Sequence, residues 1–259
     1  MTGIDQTRSV RRIAFFFAME GEARGLIEAL ELDEQGHLQP GLPSKWYRGI
    51  LPMMGMEETL EVAVGVAGED PELACDRIGT DSAVMTSYLL TREFRPDLLV
   101  NAGTCGGFLK RGGRIGAVYL ASKAFLFHGR VIPLPGFKEY GVGRIPALPA
   151  SGLTEAIDVM QGVVSTSDSF TATPQELAFF DSEDVVAKEM EAAAIARLAR
   201  DIGVAFLAIK AVTDLVDHPE EEHVAFLKNY QEVTSVLTQR LLGLINWFQA
   251  GRTVGELSK

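Results

Sequence analysis

A chain of 259 residues with 47% hydrophobic residues and no compositionally biased tract is long enough for one sizeable core, which excludes a disordered or fibrous protein. Its net charge of −11 argues against nucleic-acid backbones and anionic membranes, since neither gains from a like-charged surface. Cys75 and Cys105 lie in separate segments, and His37, His128, His218 and His223 lack ligand spacing, so neither a disulfide framework nor a metal site is expected.

Along the chain, Arg8, Arg11 and Arg12 precede the apolar run Ile13-Ala-Phe-Phe-Phe-Ala-Met19. That run leads straight into Glu20 and Glu22, so it reads as a first β-strand behind a flexible tail (residues 1–12) rather than as a signal segment. A helix is expected over residues 20–31, a strand over 61–67, a helix over 76–93, and strands over 97–102 and 115–122. Residues 125–149, rich in proline and glycine, are expected to form a long ordered loop near a site. A strand over 163–166, helices over 174–180 and 189–202, a strand over 205–212 and a long helix from about 220 to 249 complete the series, with 251–259 as a C-terminal tail. No run approaches a membrane span, and the cytoplasm is the expected address. The alternation predicts an α/β fold: one domain over 13–250, built as a three-layer α/β/α sandwich around a mixed, mainly parallel twisted sheet.

In such sheets ligands bind beyond the carboxyl ends of the strands. Three strand ends carry chemistry: Ala18-Met-Glu-Gly-Glu22, Asn101-Ala-Gly-Thr-Cys-Gly-Gly107 and Val212-Thr-Asp214. A fourth segment, Lys188-Glu-Met-Glu191, opens the helix expected over 189–202. Gly103, Gly106 and Gly107 permit close backbone approach, yet their spacing matches neither a dinucleotide fingerprint nor a phosphate loop; alone they read as a tight turn. On the expected helix Glu191 shares an apolar arc with Met190, Ala194, Ile195, Leu198 and Ile202, while Glu189 turns away. A carboxylate on that arc points to a cleft, the plainer alternative being that it satisfies first-turn amides. Glu189→Gln is accordingly expected to be mild. Asp214 taken alone reads as a turn or N-cap aspartate, and Lys210, on the same strand face, as an ion-pair residue. Of Glu20 and Glu22, at least one is expected to reach a site.

Taken together and in this order, the four segments resemble the 5′-methylthioadenosine/S-adenosylhomocysteine nucleosidases of the purine nucleoside phosphorylase superfamily, over residues 13–248. Segment 128–143 is similar to the plant-type methylthioadenosine nucleosidases. The resemblance implies a homodimer that hydrolyses the N-glycosidic bond of 5′-methylthioadenosine, with S-adenosylhomocysteine as a second candidate substrate, to adenine and a 5′-thioribose in methionine salvage. It implies no cofactor and no metal. Glu22 resembles the carboxylate that orients and deprotonates the attacking water. Glu191, kept ionised, resembles the residue gripping the ribose 2′- and 3′-hydroxyls, with Met190 packed on the sugar. Asp214 resembles the acid that donates to purine N7, with Thr213 in place of a commoner serine. Phe170 and Thr171 resemble the stretch that stacks on adenine and reads its edge. Thr104 and Cys105 align with a turn near the sugar, and Gly106 and Met19 complete the substrate-binding set. Pro135, Phe137 and Tyr140 match the loop that closes the 5′ end from a partner subunit. Gly21 interrupts the family's acidic run, and Thr166-Ser167 replaces its usual pair before Asp168.

The chemistry asks for these groups. Glycosidic cleavage passes through an oxocarbenium-like sugar. Adenine leaves poorly as an anion, so an acid with a raised pKa is needed at N7, and water needs a base on the other face. Three rivals remain: a phosphate-dependent purine nucleoside phosphorylase, a non-catalytic nucleoside-binding protein, and a nucleosidase for a futalosine-like or other modified nucleoside. The acidic loop at Glu20 and Glu22 opposes a phosphate site. The apolar stretch 131–137 is expected to favour methylthioadenosine over the homocysteine compound.

Overall fold

The computed structural model describes residues 7–259. Strand β1 (Arg12–Phe17) follows the basic segment and turns Ile13, Phe15 and Phe17 to one face and Ala14 and Phe16 to the other, all fully buried. Each of these phenylalanines contributes about 1.5–3 kcal/mol by leaving water, and a strand buried on both faces requires helices on both sides. Helix α1 (Glu20–Ala29) comes next, then β2 (Asp33–His37) and β3 (Lys45–Pro52), paired antiparallel. Neither strand shows in the sequence pattern: Asp33-Glu-Gln-Gly-His37 is polar and mostly exposed at the sheet edge, and the apolar residues of β3 fall in adjacent pairs, Trp46-Tyr47 and Ile50-Leu51, without alternation.

The chain continues through β4 (Thr59–Val66), α2 (Thr80–Phe94), β5 (Leu98–Gly107) and β6 (Val118–Phe127). Residues 125–149 are not one long loop: β6 runs to Phe127, and helix α3 (Phe137–Val142) and strand β7 (Ile145–Pro146) follow, β7 pairing back onto β6. Then come α4 (Ser151–Ile157), β8 (Met160–Thr166), α5 (Pro174–Ser182), β9 (Val185–Glu189), α6 (Ala192–Ile202), β10 (Ala205–Leu215) and α7 (Glu222–Gln249). The expected helix over 189–202 thus begins three residues late, after a strand. Residues 251–259, read as a tail, contain a short 3-10 helix (Val254–Ser258) with Val254 and Leu257 buried. The tail expected over 1–12 lies partly outside the described residues; within them Ser9 bridges to Thr253 and Val10 is buried. Among the described residues no helix is long and apolar enough to cross a membrane.

All strands join one mixed sheet. Strand β1 lies between β4 and β5, parallel to both. Strand β10 runs parallel to β5 and antiparallel to β6, β6 and β8 are parallel, β8 and β9 are parallel, and β9 returns antiparallel to the end of β5. Strands β5, β10, β6, β8 and β9 therefore close into a ring, from which β1, β4, β3 and β2 extend. Among the described residues five strand pairings are parallel and five antiparallel, so the sheet is mixed rather than mainly parallel. Ring closure is a departure from the open sandwich expected; it arises because β10 finds partners on both edges. Helices nonetheless cover both faces, α1, α4 and α7 packing on one and α2 and α6 on the other.

The feature that positions a site is in β5. Leu98–Asn101 pair with β1, whereas Gly106 and Gly107 pair with β9. The strand changes neighbour where β1 ends, and a cleft opens there.

Candidate active site

The cleft is walled by the ends of β1, β5, β9 and β10. It gathers Ala18, Met19 and Glu22, Thr104 to Gly106, Lys188 to Glu191, and Thr213 and Asp214, with Ile78, Ser169, Phe170 and Phe226 at its rim. Of the sequence-expected set, Glu22, Glu191, Asp214, Met19, Met190, Thr213, Phe170, Thr104, Cys105 and Gly106 meet here.

Glu22 stands in the first turn of α1 and is almost fully buried. Its Oε1 accepts the Thr104 amide at 2.7 Å and the Thr104 hydroxyl at 2.8 Å. Burial raises its pKa above the ordinary glutamate value, and the Lys210 ammonium and the Thr104 donors only partly offset this. Glu20 does not reach the cleft. Gly21 is explained by packing: a Cβ there would meet the Tyr230 hydroxyl of α7 at 2.6 Å.

Lys210, from β10, is buried between two glutamates, with Nζ 2.7 Å from Glu189 Oε2 and 3.3 Å from Glu191 Oε2. Burial alone would lower its pKa, but the two carboxylates hold it above the usual lysine range. Glu189 ends β9. Its carboxylate accepts the Lys210 ammonium, the Thr166 hydroxyl, and the amides of Glu191 at 3.0 Å and Ala192 at 2.9 Å. Burial pushes its pKa up, yet Lys210 and these donors outweigh burial and keep it below the ordinary value. This overturns the expectation that Glu189 turns away from the apolar arc, and with it the ground for expecting a mild amide variant. The helical count began three residues too early, and the first-turn amides of α6 are served by Glu189, not Glu191.

Glu191 is thereby released toward the cleft. Its Oε1 accepts the Gly79 amide at 3.2 Å, presented from the start of α2 by a glycine at φ +99°, a conformation other residues rarely adopt. Burial pushes Glu191 up to about 7; Lys210 opposes this, while the like charges of Glu189 and Glu22 add to it. The carboxyl expected to be kept ionised is therefore partly protonated near neutrality.

Asp214 follows a bulge in β10, where the register against Cys105 and Gly106 slips by one residue at Thr213. Bulges re-aim side chains at sites. The Thr213 hydroxyl donates to Asp214 Oδ1 at 2.8 Å, and a Cβ at position 106 would sit 2.8 Å from Oδ2, so Gly106 leaves that oxygen its room. Burial pushes Asp214 up to about 6 against the Thr213 hydroxyl and Lys188, with the Glu222 carboxylate adding to the rise. The Cys105 thiol is raised well above its usual value, first by burial and then by Asp214, which leaves it no nucleophile at neutral pH.

Four expected residues stay away. Thr171 is exposed and outside the cleft wall, and the Phe170 carbonyl is already bonded to Lys188. Pro135, Phe137 and Tyr140 are exposed around α3, where Tyr140 packs on Arg130 and Arg197 instead. Within one chain that segment does not line the site. Sequence reasoning missed Lys188, Ile78 and Phe226 as wall residues. Lys188 alternates with buried Glu189 in β9, and that alternation would have identified both had the strand been recognised.

The sequence signature of the phosphorylase superfamily matches residues 12–246 and places the chain, with its cleft of buried carboxyls at the strand ends of a mixed α/β sheet, in that superfamily. Relatives narrow this. The chain is 34% identical over 252 residues to 5′-methylthioadenosine nucleosidase of Arabidopsis thaliana, covering 96% of this chain and 91% of that one. It is 33% identical to a 5′-methylthioadenosine/S-adenosylhomocysteine nucleosidase of the same plant, covering 97% of each. The apo structure of Arabidopsis thaliana 5′-methylthioadenosine nucleosidase superposes with a TM-score of 0.89 at 34% identity, covering 96% of this chain and 100% of that one. The chain belongs to the 5′-methylthioadenosine/S-adenosylhomocysteine nucleosidase family.

The buried pair gives a first prediction. Glu189→Gln leaves the Lys210 ammonium without its nearer carboxylate, which costs about 3 kcal/mol where a buried partner is removed. Denaturant unfolding of the variant is expected to show a loss of that order; an unchanged midpoint would refute the structural role given to Glu189.

Proposed function

We propose that this cleft hydrolyses the N-glycosidic bond of 5′-methylthioadenosine, releasing adenine and a 5-methylthioribose. The observation that carries the reading is the separation of two electrostatic environments. Glu22 and Glu191 share the field of Lys210, whereas Asp214 answers to Lys188 and Glu222. Groups whose surroundings set them apart in this way suit acid and base roles in one site.

In the proposed reaction Asp214, protonated below about pH 6, gives its proton to purine N7 as the C1′–N9 bond breaks. Glu22 takes a proton from the water whose oxygen bonds to C1′. Glu191 holds the ribose 2′- and 3′-hydroxyls, donating to one and accepting from the other when protonated. Met190 packs on the sugar, and Phe170 lies against the base. The phosphorolytic alternative lacks an anion site. Among the described residues no arginine lines the cleft, Lys210 is held by Glu189 and Glu191, and Lys188 by Glu222. With both cations paired and acidic neighbours throughout, phosphate has no partner here.

A homodimer is part of the proposal. Val131, Leu134, Phe137 and Tyr140 form an exposed apolar face beyond the reach of their own cleft, of the kind that marks an interaction surface. Pro135, Phe137 and Tyr140 would serve the 5′ end only from a second copy. Sedimentation is expected to find the active species dimeric, and a fully active monomer would contradict this.

Adenine release in phosphate-free buffer tests the reaction itself. Methylthioadenosine is expected to turn over without phosphate, with kcat/KM falling above about pH 6 as Asp214 ionises. The apolar side chains of Met19, Ile78 and Phe226 favour it over S-adenosylhomocysteine, whose tail brings charges that cost more to bury than its methylenes return. Turnover that requires phosphate and yields a ribose 1-phosphate would refute hydrolysis, and equal kcat/KM for the two nucleosides would refute the apolar 5′ pocket.

A further inference from the structure

We propose that Lys188 is a positioning residue, strapping the segment that carries Phe170 to the start of α7 and so fixing the cleft wall beside Asp214. The inference rests on the nucleosidase reading above and adds a residue to it.

Lys188 lies one position before Glu189 in β9, and its side chain is almost fully buried. Its ammonium donates to the Phe170 carbonyl and, at 2.7 Å, to Glu222 Oε2, and lies 5.3 Å from the centroid of the Phe170 ring. Glu222 is the first residue of α7. One turn further along the same helix, Phe226 meets the Phe170 ring edge to face at 5.7 Å. Phe170 sits in no regular element, in the connection between β8 and α5, and is itself over a third exposed. Little else fixes it. An ammonium this deeply buried is costly without its partners, so the Phe170 segment and the start of α7 dock on it together or not at all.

The same strap brackets the proposed acid. The charged and titratable groups acting on Asp214 are Lys188 from β9 and Glu222 from α7, with the Cys105 thiol of β5 beside it. Lys188 lowers the Asp214 pKa and Glu222 raises it, so the intact pair acts on the acid in opposite directions while holding the wall. Each half removed alone leaves the other uncompensated. Glu189 and Lys210 form a separate pair, which leaves Lys188 free of the core charge balance.

Two variants and two readouts test this. In Lys188→Met and in Glu222→Gln, KM for methylthioadenosine is expected to rise about tenfold, the cost of one lost charged hydrogen bond, with a smaller change in kcat. The alkaline limb of kcat/KM is expected to move to higher pH in Lys188→Met and to lower pH in Glu222→Gln. Amide hydrogen exchange over residues 169–173 is expected to accelerate in both. A purely structural role would lower the melting temperature while leaving KM and both limbs in place, and that result overturns the proposal, as do limbs moving in the same direction. Should Lys188→Met not fold, Glu222→Gln alone decides, because it keeps the ammonium and its carbonyl partner. Wild-type protein that releases no adenine refutes the nucleosidase reading, whereas exchange over 169–173 tests the strap without any substrate; unaltered exchange in a folded variant refutes it.

Discussion

One buried ammonium, Lys210, faces three buried carboxylates, and the character of the cleft follows from that imbalance. Glu189 takes the cation at 2.7 Å and adds a hydroxyl and two backbone amides, so its charge is fully compensated. Glu191, at 3.3 Å and with one amide, and Glu22, with the Thr104 donors, are left short. Burying a second and third anion around one cation is expensive, and the inexpensive remedy is a proton. Both carboxyls therefore titrate above the ordinary range, and Glu191 does so near neutrality. Hydroxyl donors are what Glu191 and Glu22 lack, which is why the proposed reaction gives them a sugar and a water.

The fold delivers that imbalance through backbone geometry. Strand β5 exchanges β1 for β9 where β1 ends, which brings Glu22 from α1 and Glu189 and Glu191 from the β9–α6 junction to the same strand end. Strand β10 lies along β5 throughout, supplying Lys210 from its middle and Asp214 from beyond its bulge. Ring closure thus spaces Glu22, Glu191 and Asp214 around a single opening. Gly106 and Gly79 mark the two places where backbone must approach a carboxyl: the first leaves room for Asp214 Oδ2, the second aims an amide at Glu191.

Much of this was legible in the sequence, for physical reasons that also explain the rest. Strands β1, β5 and β10 are apolar on both faces, and such runs announce central strands. Glu22 and Asp214 stood at the ends of two of them, where charge has no packing role. Strand β2 was invisible because a polar edge strand has no hydrophobic period to read, and β3 because its apolar residues come in adjacent pairs, Trp46-Tyr47 and Ile50-Leu51, rather than in strict alternation. Ring closure depends on β10 pairing with β6, a contact between distant segments that no local pattern encodes. Glu189 was misplaced by a phase error: counted as the first residue of a helix it points outward, whereas as the last residue of β9 it points to Lys210. Phe137 and Tyr140 were placed by resemblance on a loop that closes the 5′ end from a partner subunit, and within one chain they stand exposed, away from the cleft.

The charge imbalance around Lys210 is tested most directly by carboxyl-carbon NMR titration of glutamate-labelled protein, with Glu189→Gln and Glu191→Gln used for assignment. One buried glutamate signal is expected to titrate near pH 7 and to vanish in Glu191→Gln. The signal lost in Glu189→Gln is expected to remain that of an ionised carboxylate well below that pH. Both buried glutamates fully ionised at neutral pH, or Glu189 as the one that takes the proton, would contradict the account.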